Sequence, residues 1–133
     1  MYPGFVRKDV DQRYLSKEQA VTLTIPGGTP IDSEGYVEVS PPSGYVFVIR
    51  YFKLSTDPEV YGNILLTGLD GVEARLLAED QDENLSDQLY DASDWTGEGF
   101  VLTKFRVYGK AKVDTTADRN VVAKWCGHLR RWW

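Results

Sequence analysis

At 133 residues the chain fits one domain, and 42% hydrophobic with 26% charged residues is a globular composition, which excludes a disordered or low-complexity protein. A single cysteine, Cys126, excludes an internal disulfide and leaves almost no room for a cysteine-based zinc site; it reads as a buried, inert thiol. The net charge of −5 is uneven, with 7 basic and 18 acidic groups in residues 1–100 against 8 and 2 in residues 101–133. Such asymmetry fits a charged partner, head-to-tail self-complementarity, or neighbouring strands that neutralise each other.

Residues 1–18 are polar, with scattered aromatics and no period, and read as an N-terminal arm ahead of one domain over 19–133. The first twenty residues hold no apolar run of a signal peptide, and no stretch approaches the roughly 18–20 apolar residues of a membrane span. The expectation is a cytoplasmic origin, or a place in the virion if the chain is viral, with no membrane partner.

Ala20–Ile25 alternates and is β-rich, with Val21, Leu23 and Ile25 on one face, until Pro26-Gly27-Gly28 stops it. Gly35–Ser40 is a second short strand, closed by Pro41-Pro42. Tyr45–Ser55 is the strongest strand. Tyr45, Phe47, Ile49 and Tyr51 line one side, Val46, Val48, Phe52 and Leu54 the other, and Arg50 interrupts the second set. A strand apolar on both sides is central in a sandwich or turns one side to an interface. Val60–Leu69 and Val72–Ala78 form a hairpin through Asp70-Gly71. Glu79–Trp95 reads as an acidic loop. Gly99–Val113 is a long strand with Val101, Phe105, Val107, Ala111 and Val113 on one face, and Gly109 marks a bulge or bend. Arg119–Trp132 is the last strand, with Val121, Ala123, Trp125 and Leu129 inward and Lys124, His128 and Arg130 outward. Seven or eight antiparallel strands with turn signals and no long helix predict an all-β, two-sheet, jelly-roll-like β-sandwich.

The chemistry is sparse. Cys126 and His128 lie side by side on one strand rather than facing, which does not suit nucleophile activation. No nucleophile elbow or phosphate loop is present, and the expectation is a non-enzyme without a cofactor. The alternation Asp80, Asp82, Asn84, Ser86 mimics the start of a calcium loop. Leu85 stands where the sharp turn wants glycine, so a solvated acidic loop competes with calcium binding. Trp95, with Tyr90 nearby, either stacks a sugar ring or folds back onto the core. Lys104, Arg106, Lys110 and Lys112, interleaved with Tyr108, would suit a phosphate backbone, but a pI near 4.8 argues against nucleic acid.

The run Pro41-Pro42-Ser43-Gly44-Tyr45-Val46-Phe47-Val48-Ile49-Arg50, followed by Ser55-Thr56-Asp57, resembles the strand lead-in of small jelly-roll virion proteins of tailed phages, of the head-decoration and fibre or appendage kinds. The resemblance covers about fifteen residues and implies a homo-oligomer, commonly a trimer, fixed to a capsid or another virion protein; it transfers no site residues.

Tyr45, Phe47, Tyr51, Arg130, Arg131, Trp132 and Trp133 are the expected oligomer interface, since terminal indoles and a two-faced apolar strand call for cover. The leading expectation is a non-enzymatic, self-associating jelly-roll subunit on a virus or phage particle. The alternative is a carbohydrate-binding β-sandwich using Trp95 and Tyr90.

Overall fold

The computed structural model describes residues 18–77, 88–91 and 99–132. The N-terminal arm, the candidate calcium ligands Asp80, Asp82, Asn84 and Ser86, Trp95 and Trp133 lie outside them.

The described residues form eight strands: β1 (Gln19–Ile25), β2 (Glu34–Val39), β3 (Tyr45–Thr56), β4 (Val60–Gly68), β5 (Glu73–Leu77), β6 (Gln88–Asp91), β7 (Phe100–Ala111) and β8 (Arg119–Arg131). All pairings are antiparallel. The ladders resolve into two four-stranded layers, β1-β8-β3-β6 and β2-β7-β4-β5. A short ladder of Phe47–Ile49 with Phe100–Leu102 ties them into one hydrogen-bonded network. Only β4 and β5 are joined as a hairpin; the other consecutive strands alternate between layers. That order is the eight-stranded jelly roll. The short strand β6 falls inside the stretch expected to be a loop. Its pairing with Tyr51–Leu54 of β3 is tertiary, and four residues carry too little period to announce it.

Two irregularities decide which side chains form the core. Arg50 is an extra residue on β3, since Ile49 pairs with Gly127 and Tyr51 with Cys126. One inserted residue reverses the phase of a period-two strand. Phe47 and Ile49 therefore face inward before it, and Phe52, Leu54 and Thr56 after it. The strand that seemed apolar on both sides along its whole length is largely one inward face that changes parity. Val46 and Val48, on the opposite side, are also buried, so the first half of β3 is covered on both faces within one chain. Thr103 plays the same part on β7, because Lys104 pairs with Thr67 and Leu102 with Gly68. Phe100 and Leu102 point inward before it and Phe105, Val107 and Ala111 after it. The expected inward face of β7 is thus corrected: Leu102 replaces Val101, and Val113 is exposed.

The core between the layers is aromatic at its centre. Phe105 of β7 meets Phe52 at 4.9 Å and Trp125 at 5.0 Å in edge-on contacts, and Phe47 at 5.7 Å. Phe100 meets Phe52 at 5.7 Å. Such pairs add about 0.5–1.5 kcal/mol each beyond their burial. Towards the end where β3 and β7 finish, a row of glycines, Gly35, Gly109 and Gly62, runs across three paired strands. A Cβ on Gly62 would stand 2.8 Å from Thr56 Cγ2 and 2.9 Å from Val121 Cγ1, and one on Gly109 would stand 3.1 Å from Leu23 Cδ2 and Val121 Cγ2. Gly109 is therefore no bulge; it lets the two layers approach closely.

Candidate functional site

Of the seven residues expected at an interface, the six that are described do not form one patch. Phe47 is corrected to a core residue, since it packs on Phe105 and offers almost no surface. Tyr45 is half-buried against the core, with the Arg131 guanidinium 5.9 Å from its ring. Tyr51 sits on the opposite face of β3, where its hydroxyl donates to Glu18 at 2.7 Å. That carboxylate, aided by burial, pushes the phenol up to about 12, and Glu18 in turn is held below the ordinary carboxylate range, chiefly by the Tyr51 hydroxyl. Arg130 pairs in register with Val46 and is half-buried. Trp132 is 53% exposed, its amide anchored to the Gly44 carbonyl at 3.0 Å.

The strand directions give the molecule two unlike ends. At the end where β3 finishes, the turns 26–33, 57–59 and 112–118 are clasped together. Gly28 donates its amide to the Thr115 carbonyl at 2.8 Å, and Thr115 donates back to Thr29 at 3.0 Å. Four carboxylates accept amides from neighbouring segments: Asp118 from Gly27 at 2.8 Å, Asp114 from Ile31 at 2.9 Å, Glu59 from Thr116 at 2.9 Å and Asp57 from Asn120 at 2.8 Å. Glu59 adopts a left-handed backbone (φ 77°), uncommon for a residue with a side chain. Its contacts hold it there: the Lys112 amide on its carbonyl at 2.8 Å and the Arg119 guanidinium on its carboxylate at 2.9 Å. These acids satisfy backbone donors that the turns would leave orphaned.

The Thr116 amide, with Arg119 and the Thr116 hydroxyl behind it, holds the Glu59 carboxyl below the ordinary carboxylate range despite some desolvation. A group lowered on folding stabilises fully above its unfolded value near 4.5 and loses that contribution as pH falls through the folded value. Thermal melts across the acid range are expected to show Glu59→Gln losing less stability than the parent as pH drops below 4.5. Parallel curves would remove Glu59 from the clasp.

At the opposite end, β4 runs out to the Leu69–Val72 turn and β8 returns to Trp132. Leu69 is 46% and Val72 64% exposed, and they flank a groove lined by Leu66, Gly68, Ala74, Val101 and Leu102. The sequence does show Leu and Val either side of Asp70-Gly71, but a hairpin signal says nothing about whether its apolar flanks are covered. The clasped end exposes Ile31 and Val113.

The charge asymmetry is largely resolved between neighbouring strands. On the outer face of β2-β7-β4-β5, Glu38 of β2 pairs with Arg106 at 2.9 Å and Lys104 at 3.5 Å of β7, and Asp32 with Lys110 at 3.8 Å. Lys112 lies over the Tyr61 ring at 5.0 Å. The basic stripe considered for a phosphate backbone is thus engaged in cis, and Glu38 is held below the ordinary carboxylate range, chiefly by Arg106.

Tyr90, a candidate sugar platform, packs against the core from β6. Its proposed companion Trp95 and the candidate calcium ligands Asp80, Asp82, Asn84 and Ser86 lie outside the described residues, as does Trp133. Among the described residues no three His, Cys, Asp or Glu side chains are placed to hold a metal ion. Cys126 is buried, with Arg50 Nη2 at 3.6 Å from its sulfur. Among the described residues no helix is long and apolar enough to cross a membrane.

No protein-family model and no curated protein matches the chain. Among solved structures it is similar to a de novo designed double-stranded β-helix, with 13% identity over 80% of this chain and 97% of that one, at a TM-score of 0.33. It is similar to the VP2 subviral particle protein of infectious bursal disease virus, with 9% identity over 84% of this chain and 33% of that one, at 0.36. A third likeness is to the extra small virus particle of the giant freshwater prawn Macrobrachium rosenbergii, with 15% identity over 82% and 78%, at 0.23. The chain spans about a third of the length of the bursal disease virus chain. The strand order, rather than these shallow likenesses, carries the fold assignment.

Proposed function

We propose that this chain is a non-enzymatic structural subunit that associates with copies of itself, its contact built on the apolar end of the jelly roll. The carrying observation is the pairing of exposed Leu69 and Val72 with the groove beside them, at the end that also displays Trp132. Solvated apolar side chains clustered next to an apolar groove mark contact surfaces. Lys104, Arg106 and Lys110 on the sheet face, by contrast, are already matched within the chain. The virus or phage particle is the setting implied by the Pro41–Arg50 resemblance, with a capsid or other virion protein as further partner and a trimer as the commonest state.

The reading as a non-enzyme is supported by the clasp, where the acids best placed to act together hold backbone amides instead. The both-sided cover of β3 does not support assembly, because one chain supplies it.

Sedimentation at micromolar concentration tests the proposal. An oligomer is expected, and Leu69→Glu with Val72→Glu is expected to weaken association at least tenfold while circular dichroism stays unchanged. A monomeric parent protein overturns self-association; an oligomer indifferent to both changes overturns the choice of surface.

A further inference from the structure

The outer face of β2-β7-β4-β5 carries a stack whose two ends are left unequal. Arg106 lies 4.4 Å over the Tyr36 ring, and Tyr36 meets Tyr108 at 5.3 Å with a 39° tilt. Arg75 lies 4.9 Å over Tyr108. The order Arg106, Tyr36, Tyr108, Arg75 thus crosses the sheet from β2 to β5. Glu38 neutralises Arg106. Arg75 is exposed, makes no ion pair among the described residues and is oriented only by the Asn63 amide oxygen at 2.8 Å and the ring beneath it. Tyr36 on the edge strand β2, held between Arg106 and Tyr108, is still 52% exposed. Because the Tyr108 ring lies 5.3 Å from the Tyr36 ring and 4.9 Å from the Arg75 guanidinium, the two outer groups are no more than about 10 Å apart.

We propose that this face binds an anionic oligosaccharide, with a pyranose ring stacked on Tyr36 and a carboxylate or sulfate group held by Arg75. Charge complementarity selects the ligand. A guanidinium is a planar donor fork suited to such oxyanions, and this one has no carboxylate of its own. An aromatic ring already held in place by Arg106 and Tyr108 receives a sugar on its exposed side at small entropic cost. A protein partner fits less well, because the residues in register with the stack are mostly charged, polar or tyrosine, with Leu65 and Leu77 the aliphatic ones. A nucleic acid fits less well too, because one unneutralised guanidinium does not match a backbone with a charge every ~1.7 Å of duplex. This site is independent of the apolar end and stands or falls separately from self-association.

Calorimetric titration of the whole chain with sialyllactose, a heparin tetrasaccharide, neutral chitotriose and a short DNA duplex tests it. At least one of the two anionic sugars is expected to bind, and which of them does tells carboxylate from sulfate. Chitotriose is expected to bind at least tenfold more weakly. Arg75→Gln and Tyr36→Ala should each weaken binding at least tenfold, while Tyr36→Phe keeps it within about threefold; both positions are exposed, so the fold is retained. Absence of binding by both anionic sugars at millimolar concentration overturns the proposal. So does binding that ignores Arg75→Gln and Tyr36→Ala, or a preference for DNA over every sugar.

Discussion

Gly127→Ala is expected to abolish stable folding, costing about 4 kcal/mol or more, the range reached only when a change meets an immovable neighbour. A Cβ at this position would overlap the Val48 carbonyl oxygen and stand 2.7 Å from Ile49 Cα. Both are backbone atoms at the bulge where Arg50 is inserted, so no rotamer change relieves the clash. Gly99 meets the next peptide, and its Cβ would lie 2.7 Å from the Ile49 carbonyl oxygen, in a backbone conformation (φ 123°) that side chains avoid. The two glycines therefore admit the bulged segment of β3 between β8 and the start of β7, where the layers are joined. Thermal denaturation followed by circular dichroism checks this. Gly35→Ala is the control, since its Cβ would meet only Ile25 Cδ1 at an ordinary 3.8 Å and should cost about 1 kcal/mol or less. Equal melting temperatures for the two variants would show that the bulge is not held as described.

The second large effect is expected for Phe105→Ala. Phe105 is fully buried and touches Phe47, Phe52 and Trp125, all from the opposite layer. Truncating a phenylalanine in such a site costs about 3–5 kcal/mol, because the cavity adds to the lost transfer energy. For a domain of this size that lowers the melting temperature by roughly 10–20 °C. Loss of near-ultraviolet dichroism should accompany it, since Trp125 and Phe52 lose the neighbour that orients them. Truncating the exposed Leu89 should cost about 0.5 kcal/mol or less, which separates a core effect from a general sensitivity of the fold. A Phe105→Ala protein that melts within a few degrees of the parent would mean that the layers are not packed through this ring.

The two ends of the molecule divide the work. The clasped end is rigid through hydrogen bonds that cross between turns, and its carboxylates are occupied. The other end presents Leu69, Val72 and Trp132 to solvent, and the outer face of the second layer presents Tyr36 and Arg75. The surface proposed for self-association and the face proposed for ligand binding are different, so the two proposals do not exclude each other.

Much of the architecture was readable from residue pattern. Alternation in Ala20–Ile25, the long apolar run from Tyr45, the Asp70-Gly71 hairpin and the inward set Val121, Ala123, Trp125 and Leu129 all follow from the period of a pleated strand. The jelly roll also followed, because eight short strands of this size need two packed layers. What the pattern left open was parity. The inserted residues Arg50 and Thr103 shift which side faces inward, and an insertion is defined only against the partner strand, which lies far away in sequence. For the same reason Phe47 looked like surface and proved to be core, and Gly109 looked like a kink and proved to be a point of close approach. The acids and cations were countable in the sequence, but pairing Glu38 with Arg106 and setting Arg75 on Tyr108 required strands from distant parts of the chain to lie side by side. Local spacing determines what each strand offers to its two faces; only the stacking of the layers decides which offer is buried, which is neutralised and which is left for a partner.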